Sequence, residues 1–394
     1  VLWDMTEAWE NSDTLNSGRF TGQSVFEGLK IDGSLYGFAP TRGNGCITYI
    51  KQAWLDAVGM DVPTTYDEFL AVCDAFVNQD PDGNGENDTY ALAAAGFIGK
   101  EAPFINYLPN FYQDAYPFFI QQDDGTWVDG FTQPEMQGAL ERLAYAYAQG
   151  YIDPTTLTNG TKDCRNKFYD DTTGIFTYWA GTWATNLKTN LEANGHDGEL
   201  VALEPIAEVG AYYDRVPPVW CITTACENPE GVFKYFIDTM LDGGDMQMLW
   251  TYGVEGTHWS TAEETVLDTQ YQKGQFHMLE NLEKAGTAYT KNHIDPMLSL
   301  ASFAEGYYDP KADTVKEEAL NASAIFNANS KMAKIVPTTE EMSTYNGDLT
   351  TLKNELVAKV VMGEMTYEEA MAKFETDGGL AWSDAIVASL NALN

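Results

Sequence analysis

The hydrophobic positions of this chain change period along its length, and each change marks an element. In "TTYDEFLAVCDAFV" the apolar residues Phe69, Cys73, Phe76 and Val77 share one helical face, which predicts an amphipathic helix after Pro63. Thr65 and Glu68 stand at capping-box spacing at its start. "PEMQGALERLAYAYAQGYI" predicts a second helix, opened by Pro134 and closed by Gly150. "TTGIFTYWAG" is rich in β-branched and aromatic residues and runs into a glycine turn, which predicts a strand. "GSLYGFAP", "CITYI", "YALAAAG" and "PPVWCITT" read as further short strands, and "NPEGVFKYFIDTML" as a helix. The last third is mostly helical; there Gly363 separates two helices, and Thr366 with Glu369 caps the second. Strands alternating with helices predict α/β layers with mainly parallel strands.

A chain of 394 residues exceeds one typical domain, so two lobes are expected. No Gly/Ser/Pro tract separates two halves, so the lobes should be joined by several chain crossings rather than one tether. Charge narrows the partners: 22 Lys+Arg against 59 Asp+Glu give a net charge of -37. Such a surface repels phosphate backbones and anionic lipid headgroups, and it favours neutral or cationic ligands and divalent cations. Nucleic acid is therefore not an expected partner. Aromatic residues reach 13%; a core can absorb many of them, but so many Trp and Tyr suggest platforms for a ligand as well. Cys46, Cys73, Cys164, Cys221 and Cys226 form no CxxC pair; buried free thiols are the expected state, with a Cys221–Cys226 bridge as the alternative. No run of 18 apolar residues occurs.

The densest candidate chemistry is "DPDGNGENDTY". Asp80, Asp82, Asn84 and Asp88 occupy positions 1, 3, 5 and 9 of a cation loop, with Gly85 at the sharp turn and the carbonyl of Glu86 at position 7. Hard oxygen ligands at this spacing suit calcium in a structural role. The twelfth position is Ala91 rather than Glu, so the bidentate ligand must come from elsewhere or from water. The plainer alternative is a solvated turn, which Asp, Asn and Gly also favour.

Several stretches together resemble one family. "LYGFAPTRGNGCITYIKQAWLDAVGMDVPTTYDEFLAVCDAF", the oxygen-rich loop, "LWTYGVEGTHW" and "ELVAKVVMGEMTYEEAMAKF" resemble, in that order, segments of the extracellular solute-binding proteins of family 1, the sugar-capturing lipoproteins of ABC importers. The resemblance implies an α/β, two-lobed fold of the type II periplasmic-binding-protein kind, a non-enzymatic role, and closure of the lobes over an oligosaccharide. It implies handover to permease subunits, a cell-surface lipid anchor on a Gram-positive bacterium, and a monomer. The implied division is residues 1–40 as a remnant of lobe 1, 41–217 as lobe 2 with the calcium loop at 80–88, and 218–300 as the return of lobe 1. Residues 301–394 would then be helices packed mainly on lobe 2. The family carries roughly a hundred residues of βαβ-rich chain before its "LYGF" strand. About 35 precede it here, so the natural polypeptide is expected to be longer, with a signal sequence upstream.

A sugar presents a flat C–H face and a rim of hydroxyls. Aromatic plates suit the first, and Asp, Glu, Asn, Arg or His in fixed geometry suit the second. "TYWAGTW" places Tyr178, Trp179 and Trp183 around a glycine turn at a strand end, where α/β proteins bind ligands. Trp220 in "PPVW" and Tyr252, Glu255, His258 and Trp259 in "WTYGVEGTHW" add a second group, and "TRGNG" adds Arg42 and Asn44. Any one tryptophan could instead be core, and Trp250 is assigned there by its helical spacing from Met246. His258 would bond a hydroxyl or a structural partner, Glu255 a ligand or a backbone amide, and Arg42 a ligand or the crossover itself. A glycoside hydrolase would share the acidity, the aromatics and the calcium, but needs two carboxylates set across the sugar bond. A binder of peptides or other solutes would differ only in its pocket.

Overall fold

The computed structural model describes residues 1–98, 108–266, 268–279, 294–332 and 334–393. The chain divides into two compact units, one of Val1–Asn44 with Val216–Leu320, the other of Gly45–Arg215 with Asn321–Asn394. The chain therefore passes from one unit to the other three times.

The second unit is built on a four-stranded sheet. Its spatial order is Tyr90–Leu92, Thr173–Trp179, Cys46–Lys51, Leu200–Ala202. Cys46–Lys51 is buried at every position and runs antiparallel to both neighbours, pairing Cys46 with Trp179 and Ile50 with both Ile175 and Val201. Tyr90–Leu92 alone in this sheet pairs in parallel. Among the described strands most pairs are antiparallel, against the expectation from alternation. Alternation predicts parallel pairing only where a helix joins neighbouring strands; in the four-stranded sheet the neighbours are far apart in sequence, and Phe119–Gln121 with Trp127–Asp129 and Glu264–Val266 with Thr269–Tyr271 are hairpins.

The helix Tyr66–Asn78 forms as expected, with the Thr65–Glu68 capping box closed and Phe69, Val72, Cys73, Ala75 and Phe76 turned inward. Each such large apolar side chain contributes on the order of 1.5–3 kcal/mol by burial. Glu135–Ala148 buries Met136, Ala139, Leu140 and Leu143. The C-terminal helices Glu340–Val361 and Gly379–Asn391 close the same core with Leu349, Leu352, Leu356, Ile386 and Leu390. A buried ion pair lies inside it. Lys353 Nζ donates to Asp129 Oδ1 at 2.6 Å and to the Pro117 carbonyl at 3.1 Å. Ser383 Oγ donates to the other Asp129 oxygen at 2.8 Å, and Phe131 N–H to Oδ1 at 3.0 Å. Phe119 and Phe131 lie 5.1 and 5.2 Å from the ammonium.

The first unit is held mainly by aromatic packing. Trp9 stacks on Phe26 at 4.2 Å, and Phe20 and Phe38 meet this pair edge-on. The segments expected as strands at 33–40 and 217–224 form single bridges instead, Phe38 with Trp220 and Leu2 with Thr223. Strand propensity is expressed only where a neighbour extends the ladder. "NPEGVFKYFIDTML" is helical throughout but irregular: an α-turn at Pro229–Val232, a π-turn at Phe233–Ile237 and a 3-10 turn at Asp238–Leu241. Cys46, Cys73 and Cys164 are buried free thiols, whereas Cys221 is exposed and Cys226 half-buried, so the burial expected for these two is corrected.

Candidate functional site

In the second unit, the strand Thr173–Trp179 ends at the turn of Ala180 and Gly181, and the helix Thr182–Ala193 begins. Gly181 sits at φ +76°, a conformation open to glycine and strained for other residues. Strand alternation sends Tyr178 and Trp179 to opposite faces. Tyr178 is 2% exposed, stacked on Phe176 at 4.9 Å and edge-on to Trp183 at 4.8 Å. Arg165 Nη1 donates to the Tyr178 hydroxyl at 2.9 Å, and its guanidinium covers the half-buried Trp183 ring at 5.1 Å. Trp179, also half-buried, carries the Arg215 guanidinium at 5.0 Å. Both tryptophans are thus fixed plates with cations against them.

In the first unit, "WTYGVEGTHW" folds into a tight turn after the helix Asp245–Tyr252. Gly253 stands at φ +86°, and a Cβ there would lie 2.6 Å from His258 Nδ1. Val254 N–H donates to that Nδ1 at 2.9 Å, and His258 N–H donates to the Val254 carbonyl at 2.8 Å. Nδ1 therefore carries no proton, and one role of His258 is to brace this turn. Trp259 Nε1 donates to the Gly253 carbonyl at 2.9 Å, and its ring stacks on Phe276 at 5.0 Å. The ring is locked yet half-buried, so it is pre-oriented at no further entropic cost. Tyr252 is 3% exposed against Phe276, whereas Glu255 is exposed. Trp220 is half-buried in a triangle with Phe236 and Trp250, all contacts edge-on at 5.5–5.7 Å. Trp250 is half-buried with them.

Arg42 and Asn44 are half-buried at the end of the first stretch of this unit. Arg42 N–H donates to the Leu298 carbonyl at 2.8 Å. The neighbouring Gly45 is needed for space: a Cβ there would meet the Tyr213 carbonyl at 2.3 Å.

The oxygen-rich loop is compact and held by its own polar groups. Asn84 Nδ2 donates to Asp82 at 2.9 Å and Asp88 at 3.1 Å; Gly85 N–H donates to Asp80 at 3.0 Å, and Glu86 N–H to Asn84 Oδ1 at 2.7 Å. Gly83 and Gly85 take positive φ. The second oxygen of Asp80, Oδ1, is buried with no hydrogen-bond partner. Burial, then the adjoining Asp80 and Asp88 carboxylates, push the Asp82 carboxyl above its ordinary range. Among the described residues no three His, Cys, Asp or Glu side chains converge closely enough to form a metal site as they stand.

The structure brings together Tyr178 with Trp183, and Tyr252 with His258 and Trp259. Trp220 lies with Phe236 rather than with the turn. Sequence reasoning missed Arg165, Arg215 and Phe276, the groups that fix the tryptophans. The signal was faint: two of a small number of arginines, each within a few residues of aromatic-rich segments in a strongly acidic chain.

No family model matches the chain. It is similar to the polygalacturonan/rhamnogalacturonan-binding protein YtcQ of Bacillus subtilis, 22% identical over 409 residues, covering 96% of this chain and 74% of that protein. Lipoprotein LipO of the same bacterium is 30% identical over 152 residues, 37% of this chain and 30% of LipO. The fructooligosaccharide ABC transporter substrate-binding protein FusA of Streptococcus pneumoniae is 43% identical over 133 residues, 34% of this chain and 25% of FusA. The matched stretches thus span under a third of LipO and FusA. Among solved structures, a solute-binding protein from Bifidobacterium longum infantis associated with an HMO-binding ABC transporter shares the fold. Its TM-score is 0.66 at 14% identity, over 100% of this chain and 84% of that one. The N-glycan transport protein NgtS of Streptococcus pneumoniae gives 0.62 at 16%, over 100% and 82%. Alginate-binding protein AlgQ2, solved without calcium ion, gives 0.59 at 18%, over 99% and 82%. The fold is that of the type II solute-binding proteins, and YtcQ, FusA and the three solved structures are named as binding proteins.

Proposed function

We propose, from the premise that this chain belongs to the extracellular solute-binding proteins of sugar ABC importers, that it captures a neutral oligosaccharide and delivers it to permease subunits at the cell surface. The observation that carries this reading is the alignment with YtcQ over 96% of the chain, in which the glycine-flanked tryptophans lie. Trp179, Trp183 and Trp259 serve as stacking plates, each half-buried and locked by a guanidinium or a backbone bond. Arg42, Asn44 and Glu255 would supply hydroxyl contacts at the rim. The net charge of -37 works against a polyanionic sugar of the kind YtcQ's name records, so a neutral ligand is favoured. The chain acts by binding alone, as a monomer anchored by lipid outside the cell; among the described residues no helix is long and apolar enough to cross a membrane.

The loop at 80–88 fits calcium. The unpartnered Asp80 oxygen and the crowded Asp82 carboxyl both call for a cation. Asp80, Asp82, Asn84, Asp88 and the Glu86 carbonyl would hold it. The ion would supply charge neutralisation that ties the helix Tyr66–Asn78 to the strand Tyr90–Leu92; Ala91 is buried in that strand and contributes no ligand.

The test is incubation with a panel of oligosaccharides, reading melting temperature and product together. A ligand-dependent rise in melting temperature without product is expected. Product formation would establish a hydrolase, and a response only to peptides would move the reading to another solute class.

A further inference from the structure

The sequence contains five Asn–Gly pairs, at 44–45, 84–85, 159–160, 194–195 and 346–347. Asparagine before glycine is open to attack of the next backbone nitrogen on its side-chain amide, because glycine has no Cβ to obstruct the approach. The fold treats the five pairs differently. Asn159 is 4% exposed, and its Nδ2 is held by Asp153 and the Ala94 carbonyl. Asn346 lies inside the helix Glu340–Val361, which fixes the following peptide in helical geometry. Asn44 is half-buried, and Gly45 is wedged against Tyr213 and Phe326. Gly195 N–H donates to the Glu192 carbonyl, which is too weak a base to take its proton. Asn84–Gly85 stands apart. Both residues are exposed, and nothing lies within 4 Å of where a Gly85 Cβ would stand. Gly85 N–H donates to Asp80 Oδ2 at 3.0 Å, so the attacking nitrogen faces a carboxylate base. Glu86 N–H donates to Asn84 Oδ1 at 2.7 Å. That bond folds the side chain forward over Gly85 and aims a donor at the oxygen on which negative charge develops. The departing Nδ2 is held by Asp82 at 2.9 Å and Asp88 at 3.1 Å.

We propose that Asn84 is a self-modification site, at which the loop converts its own asparagine into aspartate and isoaspartate. The Gly85 nitrogen gives its proton to Asp80 and bonds Asn84 Cγ. The Cγ–Nδ2 bond then breaks, and Nδ2 leaves as ammonia, its added proton returned from Asp80 through solvent. The cyclic imide so formed takes up one water. Opening at Cγ–N gives aspartate, and opening at the backbone C–N bond gives isoaspartate, whose main chain is longer by one methylene. Water is consumed and ammonia released, with no change of oxidation state. Either product adds a carboxylate beside Asp80, Asp82, Glu86 and Asp88, so the loop of an ageing chain differs in charge and, as isoaspartate, in length. The step needs neither sugar nor calcium, and it stands or falls apart from both readings.

The test incubates the intact chain with chelator at physiological pH and follows each Asn–Gly pair by peptide mass mapping, with aspartate and isoaspartate peptides separated by chromatography. In the folded chain Asn84 is expected to convert at least tenfold faster than any of the other four asparagines. It should also convert at least tenfold faster than the same residue in guanidinium chloride, where Asp80 and Glu86 no longer hold it. This comparison needs no variant. Asp80→Asn should slow Asn84 at least tenfold, with folding checked by the melting curve. Asp67→Asn, exposed on the helix that precedes the loop, should leave the rate unchanged. The proposal is overturned if Asn84 converts no faster folded than in denaturant, which would make its hydrogen bonds protective. It is equally overturned if the folded Asp80→Asn chain converts Asn84 at the wild-type rate.

Discussion

Replacing Lys353 by methionine removes the one charge that makes Asp129 tolerable inside the second unit. Both residues are 2% exposed. Burial pulls the Lys353 amine below its ordinary pKa, and Asp129 opposes that pull. Methionine matches the lysine stem in volume and suits the Phe119 and Phe131 faces. The loss should therefore be electrostatic rather than a cavity. Asp129 would keep Ser383 Oγ and Phe131 N–H as donors but would hold an uncompensated charge. Breaking such a pair from one side costs about 3–5 kcal/mol. For a unit of this size that corresponds to a melting shift of roughly 6–20 °C. Urea denaturation followed by tryptophan fluorescence measures it, because Trp127 lies two residues from Asp129 and is buried. Adding Asp129→Asn to Lys353→Met removes the stranded charge and keeps an oxygen for Phe131 N–H, so the double variant should regain at least half the loss. A single variant within about 1 kcal/mol of wild type, or a double variant less stable than the single, would refute the account.

Lys51 is held to a pKa of about 8, against an ordinary 10.5, chiefly by burial, with Asp171 opposing. Below pH 8 the folded state carries a buried ammonium whose cost, about 3 kcal/mol, is relieved as pH rises toward 10.5. The stability of wild type relative to Lys51→Met should thus increase between pH 8 and 10.5, as read by chemical denaturation at stepped pH. Trp183→Ala and Trp259→Ala should each weaken oligosaccharide binding at least tenfold, about 1.4 kcal/mol, with little change in melting; strong destabilisation at unchanged affinity would place them in the core. Chelation should lower the melting temperature and readdition of calcium restore it, and Asp82→Ala should abolish that difference; an unchanged curve with no metal by elemental analysis would reduce the loop to a turn.

Long, capped and periodic segments were legible in the sequence. The capping boxes at Thr65 and Thr366, the helix Glu135–Ala148 and the strand Thr173–Trp179 all form where local chemistry places them. Strand direction was not legible, because Cys46–Lys51 takes both its neighbours, Thr173–Trp179 and Leu200–Ala202, from far along the chain and nothing local records that pairing. The segments at 33–40 and 217–224 have strand composition but form only isolated bridges. In the candidate site the tryptophans stood out because glycines flank them. The groups that fix them, Arg165 and Phe276 among them, lie on other elements, and only the fold brings them together. His258 was readable as structural or ligand-binding, and the Val254 N–H bond shows a structural use.

The ion pair of Asp129 and Lys353 spans 224 positions of chain. A ribosome working at about 5–20 residues per second needs roughly 11–45 s to cover that distance. Throughout that interval Asp129 has emerged and its counterion has not. Leu356 and Ile386, which complete the same core, are synthesised later still. The second unit therefore cannot complete its native packing until the helix Gly379–Asn391 has left the ribosome.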